Sequence, residues 1–93
     1  MDSKKIGKYI FQKSTRKGKK LMVVVKNGSN IHFGDKFSEH YRDKTGFYSD
    51  LNHNDKQRRT SFRKRMEGIK LKDGSRAIDN KMQPAFYSYH YLW

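Results

Sequence analysis

The tightest run of apolar positions is Leu21-Met22-Val23-Val24-Val25-Lys26, followed by Asn27-Gly28-Ser29-Asn30 and then Ile31-His32-Phe33-Gly34. Branched apolar side chains suit a pleated, partly covered surface, and Asn-Gly supplies the positive φ angles of a tight turn. This stretch therefore predicts a β-hairpin whose second strand ends at Gly34. Residues 8–12 (KYIFQ) offer a third strand. A different period begins at Asn54-Asp55, whose side chains can cap the free amides of a first helical turn. The run from Lys56 to Glu67 reads as a helix closed by Gly68 as a left-handed terminator. Phe62, Met66 and Ile69 fall at i, i+4 and i+7, a narrow apolar stripe expected to dock on the hairpin.

Between these elements, Phe37, Tyr41, Phe47, Tyr48 and Leu51 are scattered among polar residues, so residues 35–54 read as an ordered loop pinned by aromatics, with room for a short helical turn. The chain closes on Ala85-Phe86-Tyr87-Ser88-Tyr89-His90-Tyr91-Leu92-Trp93, where Pro84 can open a short helix or precede an edge strand. The expected fold is a small α+β domain with an antiparallel hairpin or three-stranded sheet, one basic helix and an aromatic C-terminal segment. At 93 residues there is room for one core, and only 33% of positions are hydrophobic. The 13 phenylalanine, tyrosine and tryptophan side chains are thus the main apolar supply. Phe86, Tyr87, Tyr89, Tyr91 and Trp93 are expected to close this core or to serve as interface anchors. Stacking on unpaired bases is the sharper alternative.

Charge changes the picture most. Lys and Arg number 22 against 9 Asp and Glu, a formal net charge of +13. Residues 1–20 carry eight basic side chains and one acidic; residues 56–76 carry nine and two. The first block is expected to be a basic N-terminal arm and residues 21–93 the folded domain. Lys13, Arg16, Lys17, Lys19 and Lys20 of the arm, with Arg58, Arg59, Arg63, Lys64 and Arg65 splayed outward from the helix, form the candidate polyanion-binding set. Unbalanced charge of this size repels itself in a compact state, and negative neighbours relieve that cost.

Catalytic and metal chemistry find little footing. No Gly-rich phosphate loop, GxSxG elbow or HExxH helix occurs. His32, His40, His53 and His90 lack ligand spacing, there is no cysteine, and Asp50–Asp55 departs from a calcium loop at its sixth position. Asp35, Glu39 and Asp43 recur every four residues but stand beside Lys36, Arg42 and Lys44, as in surface ion pairs. No enzyme activity, catalytic residue, metal or cofactor is expected. Neither a leader with an apolar centre nor a stretch of membrane-spanning length is present.

The HFG at residues 32–34, the helix opening Asn54-Asp55-Lys56-Gln57-Arg58-Arg59, the Gly68-Ile69 pair and the ending FYSYHYLW together resemble a small domain of unknown function encoded by large nucleocytoplasmic DNA viruses, including chloroviruses and mimivirus relatives. The resemblance runs over about residues 20–93. It departs at Asp35–Glu39, where that domain commonly has Gly, Tyr or Ala, Ser and Asp. It brings no activity and no catalytic residue. It implies a viral setting, in the virion and in host cytoplasm or nucleus during assembly. The expected function is that of a minor virion protein, capsid-associated or facing the genome, which binds capsid subunits through their acidic surfaces or the DNA or RNA backbone. The alternative is a ribosomal or other ribonucleoprotein component binding RNA.

Overall fold

Ile6 and Tyr9 flank the two-residue turn Gly7-Lys8. In the computed structural model of the protein, which describes residues 2–24 and 30–93, Gly7 takes φ +60° there and links strands β1 (Ser3–Ile6) and β2 (Tyr9–Lys13). β3 (Lys19–Val23) and β4 (Ile31–Asp35) follow, and neighbours pair antiparallel in the order β1-β2-β3-β4. The register sets Phe11 opposite Val23 and Leu21 opposite Phe33, which gathers all four on one face. The α+β class is as expected, but the sheet has four strands. The stretch 1–20 read as an arm supplies β1, β2 and the start of β3, so the boundary drawn between residues 20 and 21 falls inside a strand. Strand β3 also lies two residues earlier than the apolar run suggests, and β4 extends through Gly34 to Asp35. The expected Asn27-Gly28 turn lies outside the described residues.

Gly34 is required by packing as well as by backbone conformation. Its φ is +79°, and a Cβ built there would stand 3.0 Å from Leu92 Cδ1 and 3.1 Å from Lys20 Cβ. The absent side chain lets the C-terminal residues close on the sheet.

Helix α2 (Pro84–Tyr91) carries the aromatic tail, with Pro84 in its first turn. It covers β4 and the apolar sheet face, where Tyr87 meets Tyr9 edge-on at 5.5 Å and Phe33 at 5.6 Å, and Tyr91 meets Phe11 at 4.7 Å. Phe11, Leu21, Val23, Phe33, Tyr87 and Leu92 form the buried centre, with Phe86, Tyr91 and Trp93 packed around it. Each fully buried Phe or Leu contributes ~2 kcal/mol, and ring pairs add about 1 kcal/mol beyond area. Burial, with Tyr9 and Tyr91 nearby, pushes the Tyr87 hydroxyl up to about 12. The five tail aromatics thus work in the core or against its edge.

Helix α1 (Lys56–Glu67) has the expected bounds, and Asp55 caps it by accepting from the amides of Gln57 at 3.0 Å and Arg58 at 3.3 Å. Gly68 ends it in right-handed conformation, φ −82°, instead of the left-handed one. The stripe docks elsewhere than expected. α1 packs on α2 and on a short 3-10 turn at Ala77–Asp79, not on the sheet. Phe62 stacks on Trp93 at 4.2 Å, while Ile69 remains 43% exposed.

Residues 36–55 form an ordered loop held more by polar groups than by aromatics. Phe37 is 82% exposed and pins nothing, although Phe47 and Tyr48 pack on the core. The Asp43 carboxylate is buried, accepting from the amide and hydroxyl of Thr45 and the amide of Tyr48. The amides of Arg42 and Lys44 donate to the carbonyls of Leu92 and Tyr91, completing the end of α2. The only helical turn in this stretch is the 3-10 turn Ser49–Leu51. Asp35, Glu39 and Asp43 therefore share no helical face: Asp35 ends β4, Glu39 sits in the loop and Asp43 is inside.

Candidate polyanion surface and adjoining cleft

The first basic group sits on the connection between β2 and β3. Ser14 nucleates it: its hydroxyl accepts from the Arg16 amide at 3.0 Å and lies 2.6 Å from Nδ1 of His32. Burial, then Arg16 and Lys19, hold His32 below its usual pKa, which favours the neutral ring beside the Ser14 hydroxyl. The Lys19 amide returns to the Arg16 carbonyl, and the Lys36 amide bonds the Gly18 carbonyl at 3.0 Å. Lys13, Arg16, Lys17, Lys19 and Lys36 are thereby exposed around one built turn. A hydrogen-bonded turn within the sheet presents this cluster, where the sequence suggested a basic arm outside the folded domain.

Lys20 departs from that group. It is 1% exposed, and its Nζ donates to the Ser38 carbonyl at 2.7 Å and to His40 Nδ1 at 2.7 Å. His40, equally buried, directs Nε2 at Asn52 Oδ1, 2.6 Å away; since that oxygen only accepts, Nε2 carries the ring proton and Nδ1 is the acceptor for Lys20. Burial first, and the Lys20 charge second, hold His40 below the ordinary histidine range. Burial also lowers Lys20, against the pull of Asp43, Asp35 and Asp50. No carboxylate forms an ion pair with Lys20 among the described residues.

On α1 the basic residues divide. Arg59 and Arg63, one turn apart, are half-buried: Arg59 lies 4.8 Å over Tyr41 and donates Nε to the Trp93 carbonyl, and Arg63 lies 4.3 Å over Tyr89. A helix with few apolar residues uses arginine stems and planes to complete its packed face. Arg58, Lys64 and Arg65 remain exposed. Arg58 donates Nη1 to Glu39 at 3.0 Å, and Arg65 sits 5.5 Å over the Phe62 ring. Of the ten expected contacts, Lys20, Arg59 and Arg63 are thus drawn into the fold, and Arg58 is ion-paired at its surface.

Between the end of β4, the loop and α1 opens a cleft of about 770 Å³. Lys20 and His40 line it on one side, Arg58 and Arg65 on another, and Phe62 and Trp93 supply an apolar wall. Asp35 and Glu39 also border it. Sequence reasoning did not foresee this cleft, because its walls come from four separated segments. One signal was available: Lys20 abuts an uninterrupted apolar run, the mark of a strand covered on both faces. No cluster of three metal-ligating side chains occurs among the described residues. No helix among them is long and apolar enough to cross a membrane.

These features define a small basic α+β protein with a hydrogen-bonded cationic turn and a mixed polar and aromatic cleft. The chain belongs to a family of unknown function, DUF5754, whose pattern matches residues 9–66, from β2 to the penultimate residue of α1. No curated protein and no solved structure matches it.

Proposed function

We propose that this protein is a non-enzymatic structural component of a large assembly, a minor virion protein of a large DNA virus, that lies on nucleic-acid backbone. The observation carrying this reading is the excess of uncompensated cations. Against a net charge of +13, the ion pairs among the described residues are Arg58–Glu39 and Arg76–Asp79, both at the surface. Lys13, Arg16, Lys17, Lys19 and Lys36 project from one turn with no carboxylate partner among the described residues. Phosphates spaced along a strand suit such a cluster, which needs no base contact and reads no sequence. The viral setting is supported by the resemblance of the HFG, helix-opening and terminal aromatic segments to a domain of large DNA viruses.

Binding to a random-sequence duplex, followed by fluorescence anisotropy from ~50 to ~300 mM salt, tests the reading. Affinity is expected to fall steeply with salt. Replacing Lys13, Arg16, Lys17 and Lys19 with glutamine is expected to flatten the log-log slope by about 3 to 4, at roughly 0.9 per phosphate released. A slope unchanged in that variant, or affinity indifferent to salt, contradicts it. Purified particles give the second check: nuclease with moderate salt is expected to release the chain. Retention on coat proteins after that treatment would assign the counter-charge to acidic protein instead.

A further inference from the structure

The exposed turn accounts for backbone binding, but it leaves the cleft unexplained. Lys20 is costly there. A buried lysine without a carboxylate partner forfeits hydration that two hydrogen bonds replace only in part. Two of its three protons have acceptors, Ser38 O and His40 Nδ1, and the Tyr48 ring centre lies 5.9 Å away. Arg58 and Arg65 border the same space two turns apart on α1, with several guanidinium N–H groups not engaged by acceptors among the described residues. The Arg58–Glu39 pair is exposed, so a stronger anion can exchange for Glu39 at small cost. The opposite chemistry stands beside it: Phe62 and Trp93 are parallel within 10°, and Asp35 and Glu39 offer acceptors for hydroxyl or amino groups. A ligand matching all of this has a dianionic end, a flat apolar part and hydroxyl or amino donors. The cleft volume lies in the usual range for small-molecule sites.

We propose that this cleft binds a single nucleotide through its phosphomonoester, with the exposed Arg58 and Arg65 holding the phosphate, the buried Lys20 charge adding to the field beneath it without contact, and the base lying along the Phe62 and Trp93 wall. The choice of nucleotide rests on the nucleic-acid reading; the anion site itself rests on the two exposed arginines that border the cleft. The phosphomonoester comes either from a free mononucleotide or from the phosphorylated end of a strand.

Trp93 is the only tryptophan in the chain, so its fluorescence reports on the cleft directly. Titration of the full chain with adenosine monophosphate is expected to change that signal saturably. Adenosine and inorganic phosphate, each lacking one half of the recognition, are expected to bind about tenfold or more weakly. Arg58→Ala and Arg65→Ala, at exposed positions, are each expected to weaken the mononucleotide by roughly tenfold, the effect of a lost charge-assisted hydrogen bond. No saturable change, equal binding of adenosine, or affinity unaffected in both arginine variants overturns the proposal. A 5′-phosphorylated tetranucleotide that displaces the mononucleotide, where its 5′-hydroxyl counterpart does not, identifies a strand end as the source; failure of both to compete identifies the free nucleotide. Duplex affinity measured on the same arginine variants separates the two ideas. Loss of mononucleotide binding with duplex affinity intact is the expected result, whereas a duplex that never binds removes the backbone reading and leaves the cleft standing.

Discussion

His40 concentrates much of what the loop does into one side chain. Its neutral ring accepts a hydrogen bond from the Lys20 ammonium and donates one to Asn52, whose Oδ1 also accepts from the Asp43 amide at 2.8 Å. Protonation would set an N–H against the Lys20 ammonium and orphan both. His40 is held below its ordinary pKa by burial, then by Lys20, while Asn52 and Asp43 pull the other way. The unfolded chain therefore takes up a proton near pH 6.5 that the folded chain refuses, so the contribution is complete above that value and is lost as pH falls through the lower folded value. Stability should decline as pH falls below about 6.5, with a limiting slope of ~1.4 kcal/mol per pH unit for His40. His32 and His53 are shifted the same way, by burial first and then by nearby arginines, so denaturant titrations should show a shallower slope in His40→Gln without abolishing it. NMR titration of the His40 ring checks the assignment, and an ordinary midpoint near 6.5 would contradict it. The sequence marks His40 only as one of four histidines; that it is buried and neutral follows from a partner 20 residues away.

Elements whose cause is local were legible. The bounds of α1 follow from Asp55, a run of good helix formers and Gly68, and the cap forms as the spacing implies. Asp55→Ala is expected to cost about 1 kcal/mol in stability, read as a lowered denaturation midpoint with unchanged denaturant dependence. Asp55→Asn should retain most of it; equal loss in both would mean that the carboxylate acts by charge and not as an acceptor. β2, β3 and β4 were likewise visible in their apolar content, β2 one residue later than the run at 8–12 suggests. β1 was not, because Ser3-Lys4-Lys5 has almost no apolar signal, and only the turn Gly7-Lys8 between Ile6 and Tyr9 gives it away. The docking of α1 was equally hidden. A stripe at i, i+4 and i+7 states that a helix has a face, but not which element meets it, and here α2 already occupies the sheet. Arg59 and Arg63 turn inward for the same reason, since the rings of Tyr41 and Tyr89 lie beside the helix.

Across the whole molecule, aromatic packing holds the fold while surface charge works against it. Burying one ring outweighs what an exposed ion pair returns, and the cations greatly outnumber the carboxylates. Moderate chloride should therefore stabilise the protein: screening shortens the Debye length from about 30 Å at 0.01 M to about 10 Å at 0.1 M, so the melting temperature should rise by several degrees across that interval. A melting temperature that falls over the same range would place the dominant electrostatics in favourable pairs instead. By itself the sequence determined the class of fold, the capped helix, three of the four strands, the aromatic make-up of the core and the large excess of positive charge, because each depends on neighbours in the chain or on composition. Tertiary structure alone decided which cations face solvent, that Lys20 and His40 share an interior hydrogen bond, and that β4, the loop, α1 and Trp93 enclose a cleft. Those outcomes depend on which distant segments meet, and Gly34 and the aromatic helix fix that meeting through close packing that no local pattern encodes.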